Sequence, residues 1–89
     1  MPPKPRKIFL TATAREDLVF WEQTNLKIIQ KINAILASIL VDPASGIGKP
    51  EKLKYLLSGM WSRRLDHRHR IVYEIQSDSV IVLQLRDHY

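Results

Sequence analysis

The 89-residue chain contains no cysteine. That absence removes a disulfide framework and any thiolate metal site, and it suits a reducing cytoplasm, where the protein is expected to act. No apolar run approaches the ~18 residues of a membrane span, so no membrane partner is expected. Near the N-terminus only Ile8-Phe9-Leu10 is apolar, too little for the ~7–15-residue core of a signal peptide. Glycine is scarce, at three residues. The stretch Gly46-Ile47-Gly48-Lys49 has neither the spacing of a phosphate loop nor a Ser/Thr after its lysine. There is no G-x-S-x-G nucleophile turn. His67 and His69 alternate in "LDHRHR", but no third ligand lies at useful spacing, and Arg68 and Arg70 would repel a cation. Neither a metal nor a cofactor is expected.

What is present fits one small domain, since so short a chain has no room for a second core. Hydrophobic residues make up 45% of it, which argues against disorder. Fourteen Lys and Arg against nine Asp and Glu leave a net charge of +5. Such a balance favours a polyanionic partner: nucleic acid, a ribosome or an acidic protein segment.

Residues 1–7, "MPPKPRK", read as a basic, proline-rich leader without apolar pattern, and residues 8–89 as the domain. Ile8 to Ala12 reads as a short strand. Thr13-Ala14-Arg15-Glu16 has the form of a capping box, with Thr13 as N-cap of a helix over Ala14–Gln23 that buries Leu18, Trp21 and Val19. Thr24-Asn25 breaks that pattern and can cap a second helix. There Ile28, Ile32, Ile35, Leu36 and Ile39 recur at helical spacing, and Pro43 and Gly46 end the run.

Asp42 to Lys52 reads as a loop, after which the period changes to two. Met60–Asp66, Arg70–Gln76 and Val80–Asp87 read as strands, and Leu53–Leu57 as strand or short helix. The expected fold is α+β: two N-terminal helices on one face of a twisted, mainly antiparallel sheet, in the order β-α-α-β-β-β, with a further strand if Leu53–Leu57 is one.

Alternation sorts the strand residues. Ile71, Tyr73 and Ile75 share one face, with Arg70, Val72 and Glu74 on the other. Trp61, Arg63 and Leu65 stand together, opposed by Ser62, Arg64 and Asp66. In the last strand Ile81, Leu83 and Leu85 should pack against the helices, which leaves Val80, Val82, Gln84, Arg86 and His88 opposite. The helix-free face then collects Arg64, Arg70, Arg86 and His88, a set that is costly unless an anion is expected there. The preceding loop adds Lys49, Lys52 and Lys54 around Glu51. One carboxylate among so many cations fits either a general base or a neutralising salt bridge.

Four segments fall in a recognisable order: "GIGKPEKLK" (Gly46–Lys54), "LSGMWSRRL" (Leu57–Leu65), "HRIVYEI" (His69–Ile75) and the terminal "RDHY" (Arg86–Tyr89). Together they resemble the YoeB/Txe family of the RelE-like superfamily, ribosome-dependent mRNA endonuclease toxins of type II toxin–antitoxin systems. The resemblance implies metal-independent endoribonuclease chemistry in the ribosomal A site, with Glu51 as general base, Arg70 stabilising the phosphate and His88 as general acid. It implies that Tyr89, Lys49, Lys54 and Arg64 hold RNA or the ribosome, a role to which the cationic face adds Arg86. Ile47 stands where the family often carries a basic residue.

The partners so implied are mRNA on the ribosome, with the rRNA of its decoding site, and a YefM/Phd-type antitoxin whose acidic tail covers the basic face. A homodimer is compatible with the family. Two other readings use the same fold class or the same charge: a ParE-like gyrase poison, which lacks the Glu/Arg/His set, and a non-catalytic RNA-binding protein. Both leave Glu51 and His88 unexplained.

Overall fold

The computed structural model describes residues 6–54 and 59–86. The chain opens with β1 (Lys7–Leu10), passes through α1 (Ala12–Thr24) and α2 (Leu26–Val41), and then forms β2 (Glu51–Lys52), β3 (Met60–Arg64), β4 (Arg70–Ile75) and β5 (Ser79–Gln84). The five strands make one sheet in the order β1-β5-β4-β3-β2. Only the β1–β5 pair is parallel. The expected α+β arrangement holds, with one addition: the loop assigned to Asp42–Lys52 ends in the short strand β2, which pairs Glu51 with Ser62 and Lys52 with Trp61. Of the ambiguous Leu53–Leu57 segment, Leu53 and Lys54 follow β2 as irregular backbone, and residues 55–57 lie outside the described ones. Residues 1–5 of the leader lie outside them too, and Lys7 already belongs to β1.

Helix α1 starts two residues earlier than the capping-box pattern predicts. Thr11, not Thr13, is the N-cap. Its hydroxyl accepts from the Ala14 amide at 3.1 Å and donates to the Leu83 carbonyl at 2.9 Å. A cap that also ties the helix to β5 satisfies more groups than a local box does, so the tertiary contact decides. Asn25 closes α1 and opens α2: its amide donates to the Trp21 carbonyl, and its side chain accepts from the Lys27 and Ile28 amides. The α2 stripe packs as its period predicts. Ile28, Ile32, Ile35 and Ile39 are buried and Leu36 is partly so. On α1, Ala14, Asp17 and Trp21 are buried, whereas Val19 faces solvent.

Strand β5 departs from simple alternation. Val72 pairs with Gln84, but Tyr73 pairs with Val82, so Leu83 is an extra residue and the strand bulges there. Before the bulge Val80 and Val82 are the core residues; after it the parity flips and Leu85 turns inward. The expectation that Ile81 and Leu83 pack under the helices is therefore wrong, and only Leu85 of that trio joins the core. The bulged carbonyl is the one that Thr11 takes up. Two side chains of α1 then hold the chain where it leaves β5: Asp17 Oδ2 accepts from the Leu85 amide at 3.0 Å, and Trp21 Nε1 donates to the Leu85 carbonyl at 2.9 Å. No helix among the described residues is long and apolar enough to cross a membrane.

Candidate active site

Cross-strand register and packing against the helices sort the side chains of β3, β4 and β5. Trp61, Arg63, Ile71 and Tyr73 point toward the helices. Met60, Ser62, Arg64, Arg70, Val72 and Glu74 point away, joined by Glu51 and Gln84 through their pairings with Ser62 and Val72. The floor of this helix-free face is Ser62 and Val72, both buried. Around it stand the charged groups.

Glu51 and Arg70, nineteen positions apart in sequence, meet there: Arg70 Nη1 donates to Glu51 Oε2 at 3.2 Å and to Ser62 Oγ at 3.3 Å. The side chain of Arg70 is 28% exposed and that of Glu51 63% exposed, so the pair opens to solvent. An ion pair so exposed contributes about 1 kcal/mol or less to stability, and its partners can exchange. Arg64 stands directly across from Arg70 in the β3–β4 pairing. Like charges opposed across a ladder repel, which makes the position one that a bound anion would relieve.

Lys49 sits in the loop just before β2 with a backbone φ of 53°, the left-handed region. The Gly48 carbonyl ahead of it accepts from the Arg64 amide at 2.6 Å. This contact brings Lys49 and Arg64 together at one end of the sheet. They line a shallow cleft of about 400 Å³ with Lys31 of α2, Asp66 and His67. The Asp66 carboxylate belongs to the β3–β4 turn, where Oδ1 accepts from the Arg68 and His69 amides. Partial burial would raise its pKa, but those two amides and the neighbouring histidines outweigh it and hold the carboxyl below its ordinary value. Asp66 therefore stays anionic at neutral pH, one carboxylate among the three cations Lys31, Lys49 and Arg64 of the cleft.

Lys54 is exposed, in the irregular stretch after β2. Arg86 is not on the face where alternation puts it. The strand ends at Gln84, Leu85 turns into the core, and the Arg86 guanidinium lies 3.7 Å from the centroid of the Phe20 ring on α1. The expected grouping of Arg86 with Arg70 is therefore corrected: Gln84 keeps its expected place on the helix-free face, but the strand ends there and Arg86 no longer follows its alternation. His88 and Tyr89 lie outside the described residues. His69 packs edge-on against Trp21, with ring centroids 4.8 Å apart, and no cluster of metal-binding side chains occurs among the described residues.

Three side chains of this region were not singled out from sequence. Ser62 passes for an ordinary strand residue until Arg70 is seen to use it. Lys31 reads as the solvated side of α2. Arg63 is fully buried and donates from every nitrogen: Nε to the Tyr73 hydroxyl, Nη1 to Ser38 Oγ and the Ile47 carbonyl, and Nη2 to the carbonyls of Asp42 and Ser45, at 2.7–3.1 Å. The Tyr73 hydroxyl in turn donates to the Pro43 carbonyl at 2.7 Å. Burial pushes the Tyr73 hydroxyl pKa up, against the opposing pull of Arg63.

This geometry can be set beside known proteins. A family model for the YoeB-like toxin of bacterial type II toxin–antitoxin systems matches residues 10–89. Toxin YoeB of Streptomyces coelicolor is 45% identical over 83 residues, covering 93% of this chain and 99% of that protein. A heterotetrameric YoeB–YefM toxin–antitoxin complex from Staphylococcus aureus contains a chain 39% identical to this one, with a TM-score of 0.87 over 97% of this chain and 100% of the other. The YoeB dimer from Staphylococcus aureus gives a TM-score of 0.88 at 39% identity, with 97% and 100% of the two chains covered. The chain belongs to the YoeB-like family of toxins of bacterial type II toxin–antitoxin systems.

Proposed function

We propose that the protein is an endoribonuclease that cuts mRNA in the ribosomal A site by attack of the RNA's own 2′-hydroxyl. The observation that carries this reading is the solvent-open contact between Glu51 and Arg70 on a cationic, helix-free face. At rest Arg70 neutralises Glu51. An arriving phosphate competes for the guanidinium, whose planar fork suits phosphate oxygens. The carboxylate, released beside the phosphate, then takes the 2′-hydroxyl proton. The 2′-oxygen attacks phosphorus, the bond to the 5′-oxygen breaks, and His88 as imidazolium gives its proton to that leaving oxygen. Arg70 holds the charge that builds on the phosphoryl oxygens in between. The scheme consumes no water until the cyclic phosphate is opened, and it places no step on a metal.

Tyr89, Lys49, Lys54 and Arg64 hold the RNA or the ribosome, and the cleft beside Lys49 and Arg64 adds Lys31 to the phosphate-binding surface. Arg86, on the α1 side, would meet a different part of a large partner such as rRNA. The same cationic face is where an acidic segment of a YefM-type antitoxin would bind and block the site. A second copy of the chain is a further expected partner, and the work on mRNA places the protein in the cytoplasm with the ribosomes.

Purified protein added to ribosomes programmed with a defined mRNA should cut at codon-positioned sites, and Glu51→Gln should lower the rate by ~10²–10⁴-fold, the usual loss for a general base. Intact mRNA, or a Glu51→Gln variant as fast as wild type, would overturn the reading.

A further inference from the structure

We propose that Arg63 is a positioning residue for this site: the 42–48 loop folds around its buried guanidinium, and that loop sets where Lys49 and Glu51 stand. A fully buried guanidinium is tolerated only when its donors are satisfied. Here all five bonds go to neutral acceptors, and three of those are loop carbonyls, of Asp42, Ser45 and Ile47. The loop in turn is shaped to fit. A Cβ on Gly46 would collide with Ser38 Oγ and come within 3.0 Å of Arg63 Nη1. One on Gly48 would lie 3.2 Å from Arg63 Cβ and 3.1 Å from the Arg64 carbonyl. Both glycines also have positive φ, at 125° and 82°. The loop therefore has no slack against Arg63.

From that anchored segment to the base is a short step. Gly48 is fastened to β3 by the Arg64 amide, and Glu51 pairs with Ser62, so only Lys49 and Pro50, three residue steps in all, separate the last anchored loop residue from Glu51. At ~3.3–3.6 Å per residue, those three span at most about 10 Å. Strand β2 has two residues and lies at the sheet edge, so it does little to hold its own register. Neighbouring side chains on β3 thus divide the work: Ser62 and Arg64 border the site, while Arg63, facing the other way, holds the segment that delivers Glu51.

The effect on cleavage rests on the endoribonuclease reading; the effect on the loop does not, and the two are measured separately. Arg63→Lys keeps the charge but concentrates its donors on one nitrogen. By NMR hydrogen exchange well below the melting temperature, the amides of Ile47 and Arg64 should lose protection by about tenfold or more, while those of β4 and β5 stay within about twofold of wild type. On ribosomes kcat should fall by about 10–100-fold with KM little changed, since ångström-scale misplacement costs that much. The double variant with Glu51→Gln should be no slower than Glu51→Gln alone, as for residues that act as a unit.

Uniform loss of protection across the sheet, or independent, multiplying losses in the double variant, would overturn the proposal and leave Arg63 a plain stability residue. If Arg63→Lys does not fold, Gly46→Ala drives a methyl into the same cluster from the loop side and should give the same selective pattern; unchanged loop protection there would equally overturn it. Should wild-type protein cut no mRNA, the endoribonuclease reading falls, and the exchange pattern still decides whether Arg63 holds the loop.

Discussion

Arg63 and Arg70 stand in adjacent strands of one sheet and do opposite things. Arg63 faces the helices, is fully buried, and fills every donor with a neutral oxygen. Arg70 faces away, is partly exposed, and meets one exposed carboxylate and one hydroxyl. The first environment leaves nothing to exchange: a ligand would have to replace several bonds to a desolvated charge at once. The second leaves a weak, hydrated pair that a phosphate can displace. The same side chain is thus locked into the architecture on one face and left open to a ligand on the other. The difference lies in what surrounds it.

The contrast is broken most severely by exchanging its two ends. Glu51→Gln is expected to lose ~10²–10⁴-fold in cleavage while its melting temperature stays within about 5 °C of wild type, because an exposed pair is worth at most ~1 kcal/mol. Arg63→Met should do the reverse in stability, costing about 3 kcal/mol or more and lowering the melting temperature by more than about 10 °C. Thermal melts of both variants beside their single-turnover rates check this. If Glu51→Gln melts as low as Arg63→Met, the helix-free face is structural after all.

The same division applies to carboxylates. Asp17 is buried and holds the Leu85 amide, so Asp17→Ala should destabilise by roughly 1–3 kcal/mol through the unsatisfied N–H, with Asp17→Asn costing less because an acceptor remains. Urea titrations of the two variants would separate loss of the bond from loss of charge. A smaller effect is expected in the cationic cleft. Lys31→Gln should leave the fold intact and reduce the salt slope of single-stranded RNA binding by about 0.7, as for one phosphate contact removed. An unchanged slope would take Lys31 out of the proposed RNA surface.

The smallest effect is a pH dependence in the β3–β4 turn. The Asp66 carboxyl titrates below its ordinary value when folded. Its bracing of the Arg68 and His69 amides is therefore complete above the unfolded pKa of ~3.9 and fades as pH falls through the lower, folded pKa. The protection factors of these two amides should be steady from neutral pH down to about 4 and fall only below that. A loss of protection already complete above pH 5 would contradict the role of the Asp66 carboxylate.

What could be read from the chain alone follows from how local each signal is. The α2 stripe packs as its spacing says because aliphatic burial every three or four residues is a property of the helix itself. The start of α1 was missed because "TATA" offers two threonine caps, and the choice between them is made by Leu83, 72 positions away. Face assignment in β5 failed for a similar reason. One extra residue at the bulge flips every later side chain, and nothing in "SVIVLQLR" marks it. Arg86 went to the wrong face for another reason: the strand ends at Gln84, and nothing local says so.

Of the site, Glu51 and Arg70 were named as candidates through the family resemblance. Their meeting was not, since it depends on a two-residue strand inside a stretch of loop-like composition. Arg63 was placed on the core face by alternation, beside Trp61 and Leu65. Its function stayed hidden because its partners are mostly backbone carbonyls, which every residue carries.

The central claim is that Glu51 and Arg70, on the hydrated face, direct a 2′-hydroxyl attack on ribosome-bound mRNA. Its most direct test is the chemistry of the cut ends, read on products from wild type and Glu51→Gln. The account predicts 5′-hydroxyl ends and 2′,3′-cyclic phosphate, or the 3′-phosphate it opens to, formed rapidly by wild type and at ~10²–10⁴-fold lower rate by the variant. Products bearing 5′-phosphate, or equal rates from the two proteins, would contradict it.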